Sequence, residues 1–207
     1  MVNNINEKLD KMFPDAKCEL NYSKDYELLI ATVLSAQCTD KRVNEVTNIL
    51  FDKYDIYSLA KADKKDIEKI IWSCGSYNKK SSYIIDIANS LVDNYNGKVP
   101  NNREYLESLP GVGRKTANVV LSNLFNVPAI AVDTHVERVS KRLKIARKND
   151  SVLDVEKKLQ KRIPKELWSR SHHQLVLFGR YICKARGPEC DKCAFYEDCN
   201  CKEKNKI

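Results

Sequence analysis

Residues 106–121 of the chain have the sequence LESLPGVGRKTANVVL. A short amphipathic segment meets a Pro-Gly-x-Gly break, and a second helical pattern begins immediately after it. Pro110 cannot continue the first helix, whereas Gly111 and Gly113 can take positive φ and leave room for another molecule against the backbone. This stretch therefore predicts two helices joined by a tight hairpin.

The beginning of the second helix is suited to an anion. The first amides of a helix lack partners within it, and Arg114 and Lys115 add positive charge at that point. The apolar residues of this helix recur at helical spacing on one face: Ala117, Val120, Leu121 and Leu124. Lys115 is therefore predicted on nearly the opposite face. A lysine there is ordinarily only solvated, but the glycine break before it favours contact with a phosphate.

Two other phosphate-binding motifs do not fit this hairpin. A P-loop has Gly-Lys-Ser/Thr after a strand, and a dinucleotide-binding fingerprint has a third glycine after a strand. Here Arg114 separates Gly113 from Lys115, and the predicted element before the loop is a helix. A helix-hairpin-helix motif that holds a nucleic-acid backbone remains.

The composition agrees with an all-α protein that binds a polyanion. With 207 residues, 43% of them hydrophobic, the chain can bury a core, and only six Gly and six Pro disfavour a sandwich of short strands. The formal net charge of +8 fits a polyanion-binding surface. Residues 1–13 lack the apolar run of a signal peptide or membrane span. We expect a cytoplasmic protein that does not associate with membranes.

Helical periodicity extends along the rest of the chain. The segment 26–36 is apolar on all sides and too short for a membrane, which is typical of a helix at the centre of a bundle. Asp63 and Asp133 are placed to cap the helices that follow them, and Cys74-Gly75-Ser76-Tyr77-Asn78 predicts a turn. Further segments with helical spacing are 4–13, 79–92, 134–143, 151–163 and 167–182.

Four of the eight cysteines lie close together near the C-terminus, with spacing x6, x2 and x5: Cys183, Cys190, Cys193 and Cys199. In a reducing compartment such a group is more often a metal site than a disulfide framework. Four thiolates can hold zinc or a [4Fe-4S] cluster, and the spacing alone does not decide between them. The other cysteines share no spacing and are predicted to be unliganded thiols: Cys18, Cys38, Cys74 and Cys201.

The hairpin, together with the later segment Val132-Asp133-Thr134-His135-Val136, resembles the endonuclease III family of DNA glycosylases. The resemblance runs over nearly the whole chain. It implies an all-α, two-domain helix-hairpin-helix glycosylase fold with a helical bundle domain, 18–128, and an iron-sulfur cluster domain, 1–17 plus 129–207. In this family the four-cysteine motif carries a [4Fe-4S] cluster.

The resemblance also assigns catalytic and DNA-binding roles. It implies that Lys115 is the nucleophile and that Asp133 assists it, although Asp133 considered alone needs no role beyond a helix cap. It implies that Gln37 fills the gap left by an extruded base. The polar residues around Gln37 are explained equally well by an ordinary polar turn between two helices. Other expected DNA contacts lie in the hairpin and beside the cysteines: Gly111, Gly113, Arg114, Lys184, Arg186 and Lys192.

One expected DNA contact departs from the family pattern. The turn at residues 74–78 resembles the loop that wedges open the base stack, but Ser76 stands where family members commonly have a bulky apolar residue. Tyr77 beside it can take over part of the stacking.

The function that the resemblance implies is base excision repair, by a monomer that associates with the nucleoid through DNA. The protein would extrude and remove oxidised pyrimidines from duplex DNA through a lysine Schiff base, and would cleave the strand at abasic sites by β-elimination. Two alternatives stay open. An adenine-mismatch glycosylase has an acidic residue in the first bundle helix, where this chain has Thr32. A non-catalytic DNA-binding protein with a structural four-cysteine metal site would use the hairpin only as a clamp.

Overall fold

The structure, a computed structural model, describes residues 4–199. Within that range the regular elements are all helical, which confirms the predicted all-α class. The helices are α1 Ile5–Met12, α2 Asp25–Leu34, α3 Asp40–Lys53, α4 Ile56–Ala60, α5 Lys64–Ile71, α6 Tyr77–Tyr95, α7 Arg103–Ser108, α8 Arg114–Phe125, α9 Thr134–Arg142, α10 Val152–Arg162 and α11 Trp168–Leu177. None of these described helices is long and apolar enough to cross a bilayer.

The described residues form two compact units. The bundle unit comprises Glu19–Phe125, and the cysteine unit combines the residues before Glu19 with those after Phe125. The bundle unit ends with α8, and Asn126 follows in the left-handed conformation with φ of 53°. Asn tolerates this conformation better than most side chains do, so α8 stops there and the chain enters the cysteine unit.

Helix α2 is the centre of the bundle unit, as its apolar sequence predicts. Every side chain from Tyr26 to Leu34 is buried, and α2 packs against α3, α6 and α8. Its first turn is closed by the Glu27 carboxylate, which accepts hydrogen bonds from the backbone N–H groups of Ser23 at 2.6 Å and Lys24 at 3.0 Å. These bonds satisfy amides that the helix itself leaves unpaired.

The turn before α6 is shorter than the sequence predicts. We expected the turn to run to Asn78 and the helix to begin at Lys79, but α6 begins at Tyr77. Ser76 is the N-cap residue and has φ of 60°, and its carbonyl accepts the N–H groups of Lys79 and Lys80 at 3.0 and 3.1 Å. A left-handed serine is uncommon, so periodicity gave no sign of it.

The cysteine unit is built on helices α1, α9, α10 and α11. Their apolar faces share one core, which includes Ile5, Leu9, Val136, Val139, Leu159, Leu175 and Phe178. The helix predicted at 167–182 is α-helical only as far as Leu177 and ends in a wider π-helical turn, Phe178–Ile182. In that turn a Cβ on Gly179 would lie 2.8 Å from the Cβ of His135, so only glycine lets it pack this closely on α9.

Candidate functional site

The hairpin between α7 and α8 exposes backbone through its glycines. Gly111 has φ of 76°, and a Cβ there would lie 2.7 Å from Cδ2 of Tyr83 on α6. Gly113 does not have positive φ, and a Cβ there would meet no described atom within 4 Å. The expectation of positive φ is thus correct for Gly111 and wrong for Gly113. Gly113 instead leaves an open strip of backbone beside the first amides of α8.

Apolar packing and a partly buried polar contact stabilise the hairpin. Nη2 of Arg103 on α7 donates a hydrogen bond of 2.7 Å to Oδ1 of Asn118 on α8, and Nη1 bonds Glu107 at 2.9 Å. Asn118 is buried, so this bond joins the two helices inside the unit. The buried apolar side chains of the hairpin are Leu106, Leu109, Val112, Ala117, Val119, Val120 and Leu121. Lys115 is exposed, as the predicted helical stripe requires.

Two turns in the bundle unit place the expected base-contacting residues side by side. We call them the Gln37 turn, residues 35–39, and the Ser76 turn, residues 72–76. Gln37 and Ser76 are exposed and left-handed, with φ of 56° and 60°. A Cβ on Gly75 would lie 3.4 Å from the Gln37 carbonyl oxygen, so the backbones of the two turns touch. Non-glycine residues in this conformation cost free energy and collect at functional sites.

A buried lysine fixes the Gln37 turn. Nζ of Lys80, on α6, donates hydrogen bonds to the carbonyl oxygens of Leu34 at 2.9 Å and Ala36 at 2.6 Å. These carbonyls lie at the end of α2, where a cation is favoured by the helix dipole. Burial lowers the pKa of Lys80. The side chain therefore gives up hydration to hold the residues that lead into Gln37.

Asp133 caps α9 with only one of its two carboxylate oxygens. Oδ1 accepts the backbone N–H groups of His135 and Val136, both at 2.8 Å, which confirms the predicted cap. Neither bond uses Oδ2, which has no partner among residues 4–199. Asp133 is half-buried. The cap fixes the direction of the carboxylate and leaves one oxygen for another task.

The cysteine loop, residues 183–199, is fastened to α9 by two arginines one helical turn apart. Arg138 donates from Nε to the Cys183 carbonyl at 3.1 Å and from Nη2 to the Gly179 carbonyl at 2.7 Å. Arg142 donates from Nη1 to the Lys184 carbonyl at 2.6 Å and to Sγ of Cys183 at 3.4 Å. The arginines thus hold the backbone on which the first cysteine sits.

The four expected metal ligands line one cavity. This cavity is lined by Cys183, Cys190, Cys193 and Cys199, together with Arg142 and Phe178. Burial raises the pKa of the Cys193 thiol to about 11, and the other three cysteines add to the rise. Burial also raises the pKa of Cys183, while Arg142 opposes this effect. Buried thiols that disfavour one another's ionisation suit a cationic occupant, so the donor set fits a metal centre.

Comparison with known proteins decides the family. Residues 30–165 match the model of the HhH-GPD superfamily base excision DNA repair proteins. The chain is 51% identical to endonuclease III of Bacillus subtilis (strain 168) over 93% of this chain and 89% of that protein. It is 47% identical to endonuclease III of Rickettsia felis over 96% of this chain and 93% of that protein. The chain belongs to the endonuclease III family.

A solved structure of an endonuclease III agrees over the whole chain. It is a trapped endonuclease III–DNA covalent intermediate, with a TM-score of 0.92 and 52% sequence identity over 100% of this chain and 99% of that chain. The predicted helix-hairpin-helix glycosylase fold is therefore confirmed.

The three cations expected beside the cysteines differ in their surroundings in this endonuclease III family member. Lys184 and Lys192 both pair with Glu189, the latter at 2.8 Å. These two lysines lower the pKa of Glu189 to about 2, so its charge persists at neutral pH. Arg186 is exposed. Contact with DNA phosphates stays a prediction for all three residues. For the two lysines, a phosphate would compete with the Glu189 carboxylate.

Sequence reasoning missed three kinds of site residue. Lys80 shares the apolar face of α6 with Ile84 and Ile87 at helical spacing, and a lysine at such a position signals a buried partner. Arg142 follows Arg138 by one turn, but the sequence does not show what they bind. Trp72, the first residue of the Ser76 turn, is 70% exposed, and no sequence pattern distinguished it from a core aromatic.

Proposed function

We propose that this protein removes oxidised pyrimidines from duplex DNA and then cleaves the strand, with Lys115 as the nucleophile for both steps. The observation that carries the proposal is an exposed lysine in the first turn of α8, directly after a hairpin whose Gly113 backbone is open. The hairpin can hold a phosphate while the lysine reaches the sugar. The endonuclease III family membership supports the reaction class.

DNA binding divides between the hairpin and the two turns. Backbone amides at the start of α8 and the charge of Arg114 hold the phosphate backbone without reading sequence. A glycosylase must extrude the target nucleotide, which leaves a gap in the stack. The Gln37 and Ser76 turns lie against each other, so Gln37 can enter that gap while Tyr77, 37% exposed, stacks beside it.

The chemistry requires a neutral lysine amine. Nζ of Lys115 attacks C1′, the bond from C1′ to the base breaks, and the sugar ring opens to give a Schiff base. Loss of a proton from C2′ then expels the 3′ phosphate by β-elimination, which cleaves the strand. We infer that Asp133 assists proton transfer or stabilises positive charge through Oδ2, because Oδ1 is committed to the cap.

We also infer that Cys183, Cys190, Cys193 and Cys199 hold a [4Fe-4S] cluster. They line one cavity, and four thiolates can hold either zinc or a [4Fe-4S] cluster. Membership of the endonuclease III family supports the cluster. When bound, the cluster would cross-link the cysteine loop.

The adenine-mismatch alternative is not favoured by the bundle unit. Thr32 occupies the position of the acidic residue, and its buried hydroxyl donates to the Leu28 carbonyl at 2.7 Å. Threonine has no carboxylate, and its hydroxyl is already used in this hydrogen bond within α2. The protein would work where DNA is, which fits association with the nucleoid.

Three duplexes test the proposal together. They carry an oxidised pyrimidine, an abasic site, and an adenine mismatch. We expect base release with strand cleavage on the first, cleavage on the second and no reaction on the third. Adenine release from the mismatch would support the mismatch glycosylase instead. Binding of all three duplexes without reaction would support the non-catalytic DNA-binding protein.

A further inference from the structure

Two cysteines outside the cysteine loop meet between the turns that are expected to contact the base stack. Sγ of Cys38 lies 3.7 Å from Sγ of Cys74, although the residues are 36 positions apart. Cys38 directly follows Gln37, and Cys74 precedes Ser76 by two residues. Cys38 is half-exposed and Cys74 is 1% exposed. One cysteine of the pair is therefore partly accessible to solvent, and the other is buried next to it.

Contacts on either side of the thiols keep them close. The position of a Cβ on Gly75 lies 3.4 Å from the Gln37 carbonyl oxygen, and Lys80 binds the carbonyls of Leu34 and Ala36 that lead into the Gln37 turn. A disulfide has a sulfur–sulfur distance of about 2.05 Å. The thiols must therefore approach by about 1.7 Å, a shift on the scale of side-chain rotation and small turn movements.

We propose that Cys38 and Cys74 form a reversible disulfide that joins the Gln37 turn to the Ser76 turn, a redox modification site separate from the cysteine loop. Insertion into a base stack requires each turn to adjust to the duplex. A covalent link fixes the distance between the turns, so the oxidised protein binds lesion DNA more weakly. The disulfide itself rests on the thiol geometry, and its effect on DNA rests on the proposed function.

The chemistry needs a two-electron oxidant, and a small disulfide such as glutathione disulfide supplies it. The Cys38 thiolate attacks one sulfur and expels one glutathione thiolate, which leaves a mixed disulfide on Cys38. Cys74 then loses its proton, attacks the Cys38 sulfur and expels the second glutathione. Two protein thiols are oxidised and one glutathione disulfide is reduced to two glutathione thiols. Burial, and then the hydrogen bond with Cys38, raises the pKa of Cys74 to about 12, which makes Cys74 the slower, resolving thiol.

Peptide mapping of the iron-loaded full-length protein tests the disulfide without DNA. The protein is incubated with glutathione disulfide, its remaining thiols are alkylated, and it is digested without reductant. We expect a cross-linked peptide pair containing Cys38 and Cys74 that disappears with dithiothreitol, while the iron content is unchanged. Cys38→Ser and Cys74→Ser should both lack the pair, and Cys18→Ser should retain it. Separate alkylation of both thiols, or a stable glutathione adduct on Cys38 without the cross-link, would overturn the proposal.

Binding to a duplex with a non-cleavable abasic analogue tests the coupling to DNA. We expect the oxidised protein to bind about tenfold more weakly than the reduced protein, with full recovery after reduction. Cys38→Ser should bind equally well in both conditions. Unchanged affinity of the cross-linked protein would show that the link does not restrain the turns. If the reduced protein fails to excise bases while the cross-link still forms, the proposed function fails and the modification site stands.

Discussion

The hairpin and the cysteine loop are ordered by different means. The hairpin, residues 103–125, buries a set of apolar side chains and has an Arg103–Asn118 hydrogen bond, and so presents Lys115 from the packed core of the bundle unit. Within the cysteine loop Phe195 is fully buried and Cys183 nearly so, while most other side chains reach solvent. A segment with so little apolar burial needs ligand bonds or arginine contacts for its order. Chemistry and cofactor should therefore fail separately when each region is altered.

The largest effect should follow from removing the lysine on the hairpin. Lys115→Gln should abolish base excision and strand cleavage, because no amine remains to attack C1′. Phosphate contacts are spread over amides and many cations, so most duplex affinity and its salt dependence should persist. Single-turnover excision and equilibrium binding measure the two effects. Lys65→Gln, which alters another exposed lysine in the first turn of a bundle-unit helix, is the matched control and should retain activity.

Altering a cysteine ligand should instead remove the cofactor and lower the stability of the protein. We expect about four iron atoms per chain in the native protein, and Cys183→Ser should lose iron and fold poorly. Metal analysis and thermal unfolding check this result. Cys18→Ser should keep both iron and stability, as should Cys201→Ser, although Cys201 lies outside the described residues. Stoichiometric zinc without iron after anaerobic purification would contradict the cluster.

Asp133 combines a structural role with a proposed catalytic one. It caps α9, the helix whose arginines hold the cysteine loop. Asparagine caps a helix as well as aspartate does, so Asp133→Asn should leave stability nearly unchanged while it lowers turnover by roughly 10²-fold. Asp133→Ala should in addition cost about 1 kcal/mol of stability. Turnover and thermal unfolding separate these roles. Full turnover in Asp133→Asn would exclude a catalytic role for the carboxylate and leave only its role as a helix cap.

Gln37 should give a smaller effect confined to recognition. Gln37→Ala should weaken discrimination between lesion and intact duplex more than it weakens overall affinity, because the side chain is expected to fill a gap that only the extruded state contains. Binding measured on both duplexes gives the ratio. Equal losses on the two duplexes would exclude the gap-filling role. Iron content should not change, since the Gln37 turn lies in the bundle unit.

The smallest effect is expected at Ser76. Ser76→Leu restores an apolar wedge and should strengthen lesion binding modestly or leave it unchanged. The left-handed conformation that Ser76 adopts, with φ of 60°, costs leucine more free energy than serine, and this cost offsets part of any gain in binding. Lesion-duplex affinity is the measurement. A large loss of affinity would mean that the serine itself makes a specific contact.

Local sequence patterns predicted the helices of this fold well, but they did not predict contacts between residues that are distant in sequence. The all-round apolar α2, the Asp133 cap and the outward Lys115 each follow from a single segment and its periodicity. Lys80 with the α2 carbonyls, and Cys38 with Cys74, are pairs formed by the packing of separate helices. The left-handed conformation of Ser76 was not predicted for a different reason, because serine seldom adopts it.

Borohydride trapping on duplex DNA with an abasic site tests the central claim, that Lys115 forms the Schiff base, most directly. Borohydride reduces an imine to a stable amine, so any Schiff base becomes a permanent protein–DNA link. We predict a covalent complex with the unaltered protein, attached at Lys115 by peptide mass, and none with Lys115→Gln. Undiminished trapping in Lys115→Gln, or attachment at another residue, would remove Lys115 from the mechanism and reopen the search for the nucleophile.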